Sequence, residues 1–365
     1  MAICFVIVTN TGVAEIRITY DGKVRLYGHE GDDPTVLVTN GVSYSIISDP
    51  PPPFEHNNCV MLSNGGQVIF GQPPGFGSIY HYTDVNSAIS ILGSGELRAG
   101  SLLNANDDRE RQQWWFDMVC KDHTGPSRQT IELSKKLGRD LKEPWRFISF
   151  SNDGVEWLAS EENNNGMGWA QPSMWAHYSK RHRLSGEVAE GGAVLVFDRR
   201  KFLFYITEST KAPVIMGDIH YFDKEDLSIR RGLLVFEEEL EKYDYQEYVG
   251  RHLTNHWKSL YLTKYSGWSY ERETRVLINA PFGATASAPI ASSLKEVLLG
   301  DGATDHDMQQ ALQLVGDLPR KAEDGPVKLY KVCWRNGLPI KVPINSGTNA
   351  MPKAGTQSTE TGQNP

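Results

Sequence analysis

The chain has 365 residues, of which 39% are apolar and 22% charged, enough for two compact domains. Its formal charge of −8 excludes the broad basic footprint of a non-specific nucleic-acid binder. Cys4, Cys59, Cys120 and Cys333 form no CxxC pair and no Cys/His zinc spacing, and no apolar run approaches the roughly 18 residues that span a bilayer. The composition therefore predicts a cytoplasmic protein with reduced thiols, no bound metal and no membrane partner.

Residues 1–74 read as a small all-β segment, with hairpin signals at Asp21-Gly22 and Asn40-Gly41 where positive φ is cheap. Residues 71–77, rich in Gly and Pro, read as a linker. A strand follows over 78–83 and an amphipathic helix over 86–100. Helices are expected over 109–120, 127–141, 174–180, 233–262 and 305–314. Strands are expected over 146–151, 193–198, 214–221, from 271 to 278, over 294–299 and over 327–334. Strands interspersed with helices, without regular βαβ alternation, predict an α+β domain over 75–345. The last residues, 346–365, carry almost no large apolar side chain and read as a disordered tail.

Phosphate loops, HExxH, GxSxG and strand-linked GxGxxG are absent from the sequence. What remains is a set of His, Tyr, Trp, Ser, Asp and Glu residues. His81 shares a strand face with Thr83, while Tyr82 takes the other face with Tyr80. A neutral imidazole there suits a ribose hydroxyl or a satisfied place in a core. Glu271, Glu273 and Arg275, spaced by two, are expected on one face of a late strand. Such a carboxylate, held ionised by an arginine, suits either a developing positive charge or a salt-bridge ladder. Ser149 and Ser151 share a face of their strand and meet a ligand or water. Trp175 and Tyr178, three apart on a helix, flank a planar ring or a core. Asn106 and Asp107 lie in a turn before a helix, where capping is their ordinary role.

The order of these pieces carries more than any one of them. Tyr80-His81-Tyr82-Thr83, the helix after it, Asn104-Ala105-Asn106-Asp107, the serine strand, Met174-Trp175-Ala176-His177-Tyr178, Val196-Phe197-Asp198 and Tyr270-Glu271-Arg272-Glu273-Thr274-Arg275 follow one another. The pattern resembles a large, mostly uncharacterised bacterial domain family, itself distantly similar to the ADP-ribosyltransferases, over roughly residues 78–335. The resemblance implies a split β-sheet core with helices and NAD as co-substrate. It implies that His81, with Tyr82 and Thr83 beside it, holds the nicotinamide ribose. Glu273, or else Glu271, is the glutamate that supports loss of nicotinamide, and Tyr178 or Trp175 stacks on the ring. Ser149 and Ser151 join the cofactor-binding set, and Asn106, Asp107 and Arg275 the substrate-binding set. The activity implied is NAD-dependent transfer of ADP-ribose to a macromolecule, DNA, RNA or protein. A toxin or phage-defence role with an antitoxin or regulator as partner is the fold-level analogy. NAD hydrolysis and a non-catalytic binding module are the competing readings.

Overall fold

The fold is described from a computed structural model over residues 77–344, apart from 106, 120–127, 154–166, 179–190, 211, 224–231 and 282. The segment expected over 1–74, the tail over 346–365 and Asn106 lie outside the described residues. Within them a mixed sheet packs against helices, the coarse form of the α+β expectation.

The chain enters through β1 (Ser78–Asp84), with Ile79, Tyr80 and Tyr82 buried. Asp84 then caps α1 (Val85–Ser94), its side chain accepting from the Ser87 amide, and Gly95 ends the helix at φ 69°. The apolar residues Val85, Ala88 and Leu92 recur at helical spacing and bury one face of α1. Strand β2 (Glu96–Ser101) follows, burying Leu97 and Ala99 in alternation. Next come α2 (Arg128–Lys142), β3 (Trp145–Asn152), α3 (Pro172–Tyr178), β4 (Gly192–Asp198), α4 (Arg199–Ser209), β5 (Val214–Asp218) and β6 (His220–Phe222). The rest is α5 (Tyr245–Tyr261), β7 (Thr263–Tyr265), β8 (Glu273–Asn279), β9 (Ala286–Pro289), β10 (Leu294–Leu299), α6 (Asp305–Asp317), β11 (Lys328–Arg335) and β12 (Leu338–Pro343).

Among the described residues the central sheet runs β12-β11-β10-β4-β1-β3-β8-β5. Neighbours are antiparallel except β10 and β11, whose parallel pairing is bridged by α6. The join between β1 and β3 is incomplete. β1 pairs with β4 along its whole length but with β3 only at Tyr80↔Ser151 and Ile79↔Asn152. β2 takes the other end of that same edge, at Ser101↔Arg146 and Gly100↔Phe147. Residues 148–150 of β3 thus have no ladder partner on the β1 side, and the sheet parts there.

Alternation along β3 and β8 sends their side chains to opposite faces. Ile148, Phe150, Val276 and Ile278 enter the main core with Leu92, Phe197 and Phe202 under the helices. The other face carries two smaller apolar clusters. One is built on Trp145, Leu277, Tyr248 and Tyr261, the other on Tyr80, Tyr82, Trp169 and Trp175. The parting of β1 and β3 lies between them.

Five expected elements differ. The helix expected over 86–100 ends at Ser94, and residues 96–101 form β2 instead, with Leu97 and Ala99 turned inward in alternation. The strand expected over 214–221 stops at Asp218, and His220–Phe222 pairs with β7 apart from the central sheet. The helix expected over 109–120 is a single turn, Asp108–Arg111, followed by a short strand, Asp117–Val119. Trp114, Phe116 and Met118 turn inward while Trp115, Asp117 and Val119 stay outside, a period of two that no helix satisfies. The helix expected over 233–262 starts instead as a strand, Leu234–Phe236, and is broken before α5, where Asp244 caps a new start by accepting from the Gln246 and Glu247 amides. The late strand begins at Glu273, not Glu271: Ser266–Glu271 is a 3₁₀ turn that ends with Arg272 at φ 44°. The single-face argument for Glu271, Glu273 and Arg275 therefore fails at Glu271.

Candidate functional site

The parting of the sheet is held open by a side chain. His81 projects from β1 and its Nδ1 lies 3.0 Å from the carbonyl oxygen of Ser149, the backbone group that lost its ladder partner. A carbonyl only accepts, so Nδ1 carries the proton and the lone pair of Nε2 is left as an acceptor. Burial pushes the imidazole below its ordinary value and favours the neutral ring, against the opposing effect of the Ser149 bond.

Ser149 also reaches the glutamate. Its hydroxyl donates to Glu273 Oε1 at 2.5 Å from the neighbouring strand. Glu273 is only 3% exposed, and burial alone would raise its carboxyl. Arg275 and Lys264 reverse that and hold it down at about 2. Arg275, two residues along β8, forks onto both oxygens, Nε to Oε1 at 2.8 Å and Nη2 to Oε2 at 3.0 Å. Its remaining nitrogen binds Glu110 Oε1 at 2.7 Å and the Tyr261 carbonyl at 3.0 Å. The guanidinium is thus fixed on three sides and positions Glu273.

Glu271 arrives from the turn. Tyr178 on α3 donates its hydroxyl to Oε1 at 2.6 Å, and Lys264 on β7 binds Oε2 at 2.5 Å. Lys264 lies 3.4 Å from Glu273 Oε2 as well, so one ammonium joins both carboxylates. Burial raises the Glu271 carboxyl, and the neighbouring Glu273 charge adds to this against Lys264 and Tyr178. Two acids in one cleft are therefore pushed in opposite directions, Glu273 toward the carboxylate and Glu271 toward the acid.

These groups line one cavity of about 290 Å³. Phe147, Met174 and Tyr82 supply apolar wall; His81, Thr83, Ser149, Ser151, Tyr178, Glu271, Glu273 and Arg275 supply polar groups. That is a hollow with an apolar wall on one side and many convergent polar and charged groups, at the small end of ligand sites. His81 and Glu273, nearly two hundred residues apart, thus meet in one place. Ser151 binds the Glu271 carbonyl at 2.7 Å and faces no solvent. Tyr82 donates to the Gly168 carbonyl at 2.6 Å, a close approach that needs glycine, since a Cβ at 168 would sit 2.3 Å from the Tyr80 ring.

Two candidates fall elsewhere. Trp175 packs edge-on against Tyr82 and donates Nε1 to the Trp169 carbonyl, so it belongs to the apolar cluster behind the wall and is no stacking surface for a ring in the cavity. Asp107 is buried but does not line the cavity. Lys264 and Glu110 are the residues that sequence reasoning missed. Lysine in a three-residue strand carries no periodic signal, and Glu110 was hidden by reading a helix through a run of period two.

Among the described residues no group of three His, Cys, Asp or Glu side chains converges on a metal position, and no helix is long and apolar enough to cross a membrane.

Residues 174–276 match the model of a family described as "Protein of unknown function (DUF2971)". This is the uncharacterised family that the ordered motifs resemble. The match includes Met174 to Tyr178, Lys264 and both glutamates, but stops short of His81 and Ser149 on the other wall. No curated protein matches the sequence. Among solved structures, the chain is similar to DarT of Thermus sp. 2.9 in complex with carba-NAD+, at 13% identity over 69% of this chain and 93% of that one, with a TM-score of 0.26. The same protein in complex with ADP-ribosylated ssDNA gives 11% identity, 69% and 92% coverage and a TM-score of 0.26. At that score the likeness is distant and assigns no role to any residue.

Proposed function

We propose that the cavity binds NAD, cleaves its nicotinamide–ribose bond and passes ADP-ribose to a macromolecular acceptor, DNA, RNA or protein. The observation that carries this reading is the pairing of a neutral histidine with an ionised, buried glutamate across a gap between strands. The parting of β1 and β3 supports an ADP-ribosyltransferase-like split sheet for the same domain.

In this reading nicotinamide and its ribose enter the hollow, which has room for a ring and a sugar, and the rest of the dinucleotide runs out through the mouth. His81 accepts a ribose hydroxyl on Nε2. Glu273, fixed by Arg275, faces the ribose and offsets positive charge as the C1′–N1 bond breaks. The bonding pair leaves with nicotinamide, which departs neutral, and the sugar is left as an oxocarbenium-like cation. A nucleophile of the acceptor then bonds to C1′ and its proton passes to Glu271, held by Tyr178. Tyr178 and Met174 flank the nicotinamide ring; Ser149 and Thr83 complete the polar wall. Each step balances with NAD and the acceptor alone.

The test is incubation with NAD labelled in its adenylate half, plus separate pools of DNA, RNA and protein, with nicotinamide release followed in parallel. Label entering one pool, reduced about 10²–10³-fold in Glu273→Gln, is the expected result. Transfer unchanged in that variant removes Glu273 from the reaction. Nicotinamide release that ignores every pool assigns the site to NAD hydrolysis.

One observation favours a non-catalytic binding module. Both oxygens of Glu273 already accept bonds from Ser149, Arg275 and Lys264 within the protein. A ligand must therefore share or displace one of them. NAD binding by calorimetry without any nicotinamide release decides for that module.

A further inference from the structure

We propose that Lys264 is the positioning residue that divides the labour between the two glutamates, holding one oxygen of each so that Glu273 stays charged while Glu271 is aimed at the acceptor. The inference rests on the reading above for what the carboxylates do, but not for what Lys264 does to them.

The geometry is specific. The ammonium is 5% exposed and sits 2.5 Å from Glu271 Oε2 and 3.4 Å from Glu273 Oε2. Its third side is covered by the Trp268 ring, 4.7 Å away, from the turn that also delivers Glu271. A lysine is a compact point charge with three donors, so it bridges two carboxylates that a planar guanidinium would grip one at a time. Arg275 does the latter, forking onto Glu273 alone among these two. Without Lys264, the two buried acids would face each other with a single cation bound to one of them. Like charges in one dry site then share a proton, and the separation of roles collapses.

Besides Ser149 on β3, the groups facing this pair come from five elements. Tyr178 on α3 binds Glu271, Tyr221 on β6 accepts from the Glu273 amide at 2.8 Å, and Arg275 on β8 holds Glu273. Tyr270 and Trp268 stand on the turn, and Glu110 acts on both Lys264 and Arg275 from the turn after β2. Burial works against the Lys264 ammonium, and Glu273, Glu271 and Glu110 together raise it, so it is a cation throughout the useful pH range. No other group in the set touches both glutamates.

The test uses Lys264→Met and Lys264→Arg in the full chain, with two readouts. The first is the titration of the Glu271 and Glu273 side-chain carboxyls by ¹³C NMR, which needs no NAD and survives failure of the NAD reading. Loss of one facing cation is expected to move both upward, by about 1–3 pH units for Glu271 and less for Glu273, which keeps Arg275. The second is the acid limb of the pH profile for nicotinamide release, expected to move up with Glu271 in Lys264→Met and to return only in part in Lys264→Arg, which keeps the charge but grips one carboxylate at a time. A residue that only fills space would lower activity without moving the limb. If Lys264→Met does not fold, Lys264→Met with Glu271→Gln removes the charge together with its closest partner, and Glu273 is titrated alone. Carboxyl titrations unchanged in folded Lys264→Met, or Glu273 titrating alike in the double variant and in Glu271→Gln alone, overturn the proposal.

Discussion

Two faces of the same strands are built on opposite principles. On one face of β3 and β8, Ile148, Phe150, Val276 and Ile278 pack in an apolar core whose members are interchangeable contributions to one buried area. On the other, Ser149, Glu273 and Arg275 are each needed by the next, because the half-buried serine and the buried ion pair are bonded to one another. The difference teaches where this fold concentrates its specificity. Area adds up and tolerates exchange of similar volumes, whereas a buried charge network is satisfied as a whole or not at all.

The largest effects test that contrast directly. Phe150→Ala should cost about 3–5 kcal/mol of unfolding free energy, and no second truncation in the same core should recover it. Arg275→Leu should cost a similar amount, about 3–5 kcal/mol, by leaving Glu273 short of its closest cation. Here, however, Arg275→Leu combined with Glu273→Leu should cost less than Arg275→Leu alone. Urea titration of these variants together with Glu273→Leu alone reads both outcomes, and simple additivity on the charged face would erase the distinction between the faces.

Acid should come next and should act on one face only. Glu273 binds its proton less readily folded than unfolded. Its contribution is therefore complete above the ordinary carboxylate value and is lost as pH falls toward about 2. His81, lowered by burial, adds a loss that starts as pH drops through its ordinary value. Glu271 is raised and acts with the opposite sign, favouring the fold below the ordinary carboxylate value and losing that effect as pH rises. Thermal melts at pH 7, 5 and 3 should thus fall steadily, and Glu273→Gln should flatten the lower part of the fall. Phe150→Leu should shift the curve without changing its slope.

Smaller effects sharpen the picture. Ser149→Ala removes one bond to an ionised partner and should cost about 1.5–3 kcal/mol; the sign of interest is a rise in the Glu273 carboxyl, seen by NMR. Asp84→Ala, which touches neither face, should cost about 1 kcal/mol through the lost cap of α1. A larger loss there would show that α1 supports the histidine strand more than its own end.

What the sequence reveals follows the same division. Period-two alternation made β3 legible, since a strand must send successive side chains to opposite faces, and a short continuous apolar run made β4 legible as a strand buried on both faces. The meeting of His81 with Glu273 was legible as an expectation because both fall on strands. The parts that escaped are those with no periodicity. Glu271 was expected on β8, but Arg272 takes a left-handed conformation and ends a turn there. Lys264 sits on a three-residue strand where nothing in the local pattern marks an ammonium as buried. Glu110 lies within the brief Asp108–Arg111 turn, and only the inward alternation of Trp114, Phe116 and Met118 reveals that the helix stops just after it. Lys142, which holds the Glu110 and Gln112 carbonyls and is lowered by burial to about 8, belongs to the same hidden support.

The bend at Arg272 has a consequence for how the site varies. Two residues apart on a continuous strand would fix the spacing of the carboxylates at roughly 6.6 Å of rise. With a left-handed residue between them, Glu273 takes its place from the ladder of β8 while Glu271 takes its own from the 3₁₀ turn before it. One acid is indexed to the sheet and the other to a loop. Changes of length or composition in Ser266–Glu271 can therefore re-aim the second acid while the first keeps its address, as a lamp turns on a fixed bracket.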